Sequence, residues 1–284
     1  KSPENLPKSV EFTAPSPEDF PRCSYPLEVL LKCFGPRVLI DIVCCVLSEC
    51  RMLFHSCDLA LLPVICEGLR TLIYPLQWTH VYLPVVPMHL LNVVEAPVPF
   101  MLGTHSKWLK YIQADYMNDM VLIDCDTAAI DMGGSLALQF PEREDRWLML
   151  ALKSILLPDL PSHDVREVAD PLLGRIARRN LDRPKADASI ARVDTDTRIQ
   201  LVFYDVLFHL LRYVPDCLFY LNPSCPVFNR PLFISDYASD EYRAALELIT
   251  VTNCFHVLTE SIHTPSLAFF YKSIVRLTEL EKKL

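Results

Sequence analysis

The sequence predicts an α/β fold followed by an all-helical subdomain: a central, mostly parallel sheet flanked by helices and packed with a helical C-terminal part. Three observations carry this. Between residues 49 and 105, short apolar runs alternate with helical patterns across short turns, the order of a tightly wound α/β unit. Beyond residue 195 the apolar residues fall at helical spacing, as in Ile199, Val202, Phe203, Val206, Leu210 and Tyr213. Finally, 51% of the 284 residues are apolar, enough for a sizeable core.

Taken in order, residues 1–25 hold five prolines and few apolar residues and read as an extended linker. The competing reading there is a strand edge at Val10 to Phe12. Pro26 to Phe34 suits a short helix ending at Gly35, and Pro36 suits the first turn of a second helix. That helix carries an apolar stripe of Val38, Leu39, Ile42, Val43, Val46 and Leu47. Arg51 to His55 is the first strand. The next helix begins near Leu62, since Pro63 is tolerated only in a first turn, and Tyr74-Pro75 ends it. Val81 to Val86 is the second strand, apolar on both faces as a central parallel strand would be. Pro84 inside it calls for one unpaired or bulged side.

Pro87 opens a short helix through Val94, Phe100 to Gly103 is the third strand, and Ser106 to Ile112 is a short helix. Val121 to Asp124 and Ala129 to Met132 read as an antiparallel pair. Glu142 to Leu157 is a helix stopped by Pro158. Residues 159–194 are charged and proline-interrupted, and read as a flexible loop. It holds a short helix at Leu172 to Arg179 and a basic cluster of Arg175, Arg178 and Arg179, read as a solvated face. Residues 195–284 read as all helix, with one long helix from Asp240 to Ser261 and a last one opened by Pro265. The chain thus divides into a Pro-rich linker (1–25), an α/β subdomain (26–158), a charged loop (159–194) and a helical subdomain (195–284).

Composition excludes several function classes. The net charge is -8 and the 27 Lys and Arg form no basic stripe, which argues against a nucleic-acid partner. No apolar run reaches the ~18–20 residues of a membrane span, and the polar, Pro-rich start is not a signal peptide. The chain starts without Met, so it is expected to be a fragment of something longer. Eleven cysteines, with no CxxC, several of them inside apolar helical runs, point to a reducing cytosol. With six glycines and no phosphate-cradling motif, a nucleotide cofactor is not expected. No cofactor and no metal is expected.

Three sets of residues invite chemistry. Asp124, Asp126 and Asp131 could hold a metal or act as acid and base, though Asp124-Cys125-Asp126-Thr127 also suits a turn in which Asp bonds its own backbone. His55 and His105 gather at the carboxyl end of the sheet if their strands are parallel neighbours, whereas His80 belongs at the other end. Cys57, two residues from His55, is a weak candidate nucleophile against a structural thiol. No G-x-S-x-G occurs.

The order of motifs over residues 38–124 resembles the central part of a DENN module. That pattern is a strand E-x-[RK]-[IV]-L-F-x-S, a helix ending in Tyr-Pro or Phe-Pro, then H-V-Y-[IL]-P-[IV]-[LV]-P and E-[AS]-P-x-P-F-[IM]-x-G-x-H. This chain supplies Glu49, Arg51, Leu53, Phe54 and Ser56; Tyr74, Pro75 and Trp78; His80, Val81, Tyr82, Leu83, Pro84, Val86 and Pro87; and Glu95, Ala96, Pro97, Pro99, Phe100, Gly103 and His105. Val227-Phe228-Asn229-Arg230-Pro231-Leu232-Phe233 and the segment through Phe255 resemble the downstream DENN region. Together the resemblance covers residues 25–265.

The resemblance implies guanine nucleotide exchange on a Rab-type small GTPase in vesicle trafficking, with no covalent catalysis. It implies docking across this part and an upstream longin-like lobe, which nothing in these residues encodes. It places the protein in the cytoplasm, with peripheral recruitment to endosomal or other vesicle membranes through the partner. On this basis the exposed strand-end residues Ser56, Asp58, His105, Asp124 and Asp126 are the expected GTPase-facing rim. Two other functions compete: a non-catalytic scaffold that binds a GTPase or another partner, and a divergent GTPase-activating component, which needs an arginine that the longin-like lobe would supply.

Overall fold

The computed structural model describes residues 16, 20–21, 24–156, 195–222 and 225–281. The strand edge at Val10 to Phe12 and residues 159–194, with their helix and arginine cluster, lie outside them.

Helix α1 (Leu27–Leu47) is two helices joined at a kink. Gly35, at φ 67°, breaks the helical path, and Pro36 follows in the first turn of the second half. A left-handed residue suits glycine, and proline needs no helical N–H donor there. The expected helix, stop and restart are thus all present. Strand β1 (Arg51–Ser56) follows, then α2 (Leu61–Leu72), β2 (Val81–Leu83), a 3-10 segment (Met88–Glu95) and β3 (Phe100–His105). A second 3-10 segment (Ser106–Tyr111), a short α3 (Ala114–Met117), β4 (Val121–Asp124), β5 (Ala129–Asp131) and α4 (Glu142–Leu156) complete this half.

The five strands form one sheet in the order β2-β3-β1-β4-β5. All neighbours are parallel except the β4–β5 pair. Alternation along the strands sends side chains to two cores. Met52, Phe54, Met101, Val121 and Ile123 enter the larger one, under α1, α2 and α4. Leu53, Phe100, Leu102 and Leu122 face the smaller one, roofed by Val86, Leu91, Val94 and Ile112. With both faces covered, β1 and β3 need continuous apolar runs.

β2 is not central. It lies at the sheet edge, is only half-buried, and stops at Leu83 before Pro84. Its unpaired side satisfies the proline, and its apolar character is partly exposed rather than buried. At Gly103 the next strand comes so close that a Cβ would lie 2.1 Å from the Pro84 carbonyl oxygen.

The C-terminal part begins with α5 (Thr195–Leu211), buried on both sides as its pattern requires. It departs from all-helix at an antiparallel hairpin, β6 (Leu218–Asn222) and β7 (Cys225–Phe228). Helices α6 (Arg230–Asp236), α7 (Asp240–Ile249), α8 (Asn253–Glu260) and α9 (Ala268–Glu281) follow. The single helix expected from Asp240 to Ser261 breaks at Thr250–Thr252. Thr252 adopts an extended backbone (ψ 153°) and its side chain accepts from Phe255 N, starting a new helix. One continuous apolar core, from Leu27 in α1 to Leu277 in α9, joins the sheet to this helical part. Phe20 enters it too, edge-on to Tyr74, Tyr204 and Phe269 at 5.0–6.0 Å.

Candidate functional site

The parallel register brings the carboxyl ends of β1, β3 and β4 together. Ser56 pairs with His105, and His55 with both Thr104 and Asp124. All five expected rim residues therefore lie on one edge of the sheet, where open α/β sheets bind ligands.

Their exposure differs. Ser56 is fully buried, which corrects its place among exposed residues. Its hydroxyl donates to Asp126 Oδ1 at 2.6 Å and accepts from Asp58 N at 2.9 Å. It braces the turn after β1 rather than facing solvent. Asp126 also accepts from Cys57 N at 2.8 Å, locking that turn to the one after β4. The Ser56 hydroxyl, then the Cys57 amide, hold the Asp126 carboxyl below the usual carboxylate range. Asp124 accepts from Asp126 N (2.9 Å) and from the Thr127 hydroxyl (2.8 Å). Partial burial pushes its pKa up, but these bonds prevail and the net shift is downward. Asp58 is exposed and accepts from Ala60 N at the entry to α2. His105 is half-buried, accepts from Lys107 N at 3.1 Å and lies against Trp108.

The turn is therefore the role of Asp124-Cys125-Asp126-Thr127. Asp131 sits on β5 opposite Leu122, where it accepts from Gly133 N. Among the described residues no three His, Cys, Asp or Glu side chains gather to hold a metal. His55 is buried with Nδ1 3.1 Å from Ser106 Oγ and 4.0 Å from Asp124 Oδ1. A serine–histidine–aspartate relay needs the serine and the carboxylate on opposite ring nitrogens. Here both approach Nδ1, so the set cannot work as one. Burial lowers the His55 pKa against the opposing pull of Asp124 and Asp126. Cys57 meets Asp126, and its thiol forms no hydrogen bond with His55 among the described residues. His80 lies at the other end of the sheet, as expected, 3.0 Å from Glu49.

The same edge holds residues that motif reading passes over. After β2 come Val85, Met88 and Leu90, exposed beside Leu83; after β3 come Lys107, Lys110 and Tyr111. Single exposed side chains carry no periodic signal, and only the strand order sets the strands they follow next to one another.

Residues 3–128 match the family model DENN (AEX-3) domain. DENN domain-containing protein 3 of Mus musculus is 27% identical over 259 residues, covering 88% of this chain and 19% of that protein. DENN domain and WD repeat-containing protein SCD1 of Arabidopsis thaliana is 32% identical over 161 residues, 57% of this chain and 13% of that protein. DENN domain-containing protein 1B of Homo sapiens is 31% identical over 93 residues, 33% and 12% respectively. The chain spans less than a fifth of the length of each of these relatives. The motif order, the parallel sheet it builds and the matched residues agree: residues 3–128 are similar to the DENN (AEX-3) domain family.

Proposed function

We propose that this chain forms the central and downstream part of a DENN module that promotes GDP release from a Rab-type small GTPase. The observation that carries the proposal is the family match over residues 3–128. Those residues include β1 to β4 of the sheet whose carboxyl edge presents Asp58, His105, Asp124 and Asp126. The GTPase docks against that edge, with the family's longin-like lobe as the second half of the surface. Ser56 holds the rim in shape from beneath.

Exchange of this kind asks no side chain to form a covalent bond. It asks that the nucleotide-free GTPase bind more tightly than the GDP-bound one. A ligand shifts an equilibrium only by its differential affinity for the two states, and about 1.4 kcal/mol of difference corresponds to a tenfold shift. Recruitment to vesicle membranes then comes through the GTPase. Among the described residues no helix is long and apolar enough to cross a membrane.

The test is release of labelled GDP from a panel of Rab GTPases, with this chain and with a version extended upstream. Faster release by either supports exchange, and by the extended form alone assigns the second half of the surface to the longin-like lobe. Stable binding to a Rab without faster release replaces exchange with a scaffold role.

A further inference from the structure

We infer that the carboxyl edge of the sheet is a polarised docking surface whose apolar, basic and acidic parts follow one another in strand order. It fits a folded partner presenting an apolar patch, then acidic groups, then basic groups. This rests on the exchange function proposed for the same edge and says which face of the GTPase meets it.

The order follows from topology. Val86 N donates to Gly103 O at 2.7 Å, so the segment leaving β2 stays beside β3, whose own continuation begins at Ser106. The β2 segment exposes Leu83, Val85, Met88 and Leu90, each between 38% and 49% accessible. Isolated exposed apolar residues need no explanation, but four large ones on one shoulder of a sheet mark an interaction site. The neighbouring β3 segment exposes Lys107, Lys110 and Tyr111, with Lys110 Nζ 5.0 Å from the Tyr111 ring centre. Next along the edge come Asp58 after β1 and Asp126 after β4.

These charges are not spent on one another. Among the described residues Lys107, Lys110, Asp58 and Asp126 form no ion pair, and Asp124 approaches only the His55 ring. Opposite charges left on neighbouring segments of one edge give it a direction. Such a field steers encounter and fixes the orientation of a partner, while the apolar shoulder supplies the desolvated contact that holds it. The mixed signs disfavour a lipid surface or nucleic acid, which would draw on the basic part alone and be repelled by the acidic one.

The experiment measures association and dissociation of the Rab identified by the GDP-release panel, at low and high salt. Three paired variants of exposed residues are compared with the wild type: Asp58→Asn with Asp126→Asn, Lys107→Gln with Lys110→Gln, and Met88→Ser with Leu90→Ser. Asparagine keeps the one acceptor that Asp58 uses, whereas Asp126 accepts through both oxygens, so thermal melting checks that the paired variant is folded and Asp58→Asn alone takes its place if it is not. Both charge pairs are expected to slow association about tenfold at low salt and to flatten its salt dependence. The Met88 and Leu90 pair is expected to speed dissociation about tenfold with association little changed. Unchanged kinetics in all three folded variants, with wild-type binding intact, would overturn the docking surface and leave exchange standing. If the wild type neither binds nor exchanges any Rab, the proposed function fails and this inference falls with it.

Discussion

Glu49 Oε1 lies 2.7 Å from the backbone nitrogen of Cys254, and its Oε2 lies 3.0 Å from that of Asn253. One carboxylate just before β1 thus takes the first two amides of α8, some two hundred residues on. Thr252 takes a third amide, that of Phe255. A negative group at a helix N-terminus satisfies orphan donors and meets the positive end of the helix dipole. Asn253 Nδ2 adds a bond to Thr79 Oγ1, and His80 stands 3.0 Å from the same carboxylate. The first residue of the E-x-[RK] motif therefore ties the sheet to the helical part.

Glu49→Gln is expected to destabilise the fold by about 1–2 kcal/mol, because a neutral amide oxygen replaces a charge-assisted acceptor of two amides. Glu49→Ala is expected to cost more, leaving both amides without their partner. Burial raises the Glu49 pKa, but the bonds from Asn253 and Cys254 outweigh it and the net shift is downward. The stability this adds is present above the ordinary glutamate value and is lost as pH falls through the lower folded one. Urea unfolding of wild type and Glu49→Gln should therefore converge toward low pH. A constant gap would contradict the clamp.

Ser56→Ala tests the brace. The hydroxyl is fully buried and serves both Asp126 and the Asp58 amide. Its loss should cost about 1–2 kcal/mol, the range for leaving buried partners unsatisfied. GDP release, measured where the variant remains folded, should change less than in the paired asparagine variant of Asp58 and Asp126. A variant as stable as the wild type would remove Ser56 from the frame of the edge.

Gly103→Ala tests the spacing of β2 and β3. The added Cβ would meet a backbone oxygen at 2.1 Å, not the yielding end of a side chain. Either strand can move only by disturbing the Val86–Gly103 hydrogen bond. The expected cost is about 1–3 kcal/mol, as for other overpacking in close-packed interiors. Chemical denaturation checks it, and a neutral effect would mean that the β2 shoulder is loosely attached.

How far the fold is legible in sequence depends on the range of the interaction. Gly35-Pro36, the run Arg51 to Ser56 and the i, i+3, i+4 spacing of α5 are local signals, and each produces the element it predicts. The edge position of β2 depends on strand order, which no single run encodes; Pro84 alone hints at it. The hairpin at Leu218 to Phe228 lies amid strong helical patterns, so its strand-like Leu218-Phe219-Tyr220 and its Asn222-Pro223 turn signal are outweighed. The break in the Asp240 helix is decided partly by Glu49, from the far end of the sequence. At the rim, parallel strands make the convergence of His55 and His105 readable. Which residues face solvent is not readable in the same way: Ser56 and Asp126 share one hydrogen bond, yet only Asp126 is exposed.

His55 gives the edge a pH response whose sign can be worked out. The ring is buried, and burial holds its pKa below the ordinary 6.5 even though Asp124 and Asp126 pull it upward. The unfolded chain therefore takes up this proton more readily than the folded one. The stability that His55 contributes is fully present above 6.5 and declines as pH falls from there toward the folded value. Glu49, Asp124 and Asp126 titrate lower, so the interval from pH 7.5 to 5.5 separates the histidine from them. The other seven histidines are common to wild type and variant, and a difference between the two cancels their shared part. His55→Asn, which keeps an acceptor toward Ser106, should show a shallower loss of unfolding free energy across that interval. Asp124→Asn should make the loss steeper, because the imidazolium then lacks the carboxylate 4.0 Å away. Imidazole proton titration by NMR reads the same order directly, with the His55 midpoint lower in Asp124→Asn than in the wild type. A midpoint at or above 6.5 in the wild type would reverse the sign and remove His55 as the source of acid sensitivity at this edge.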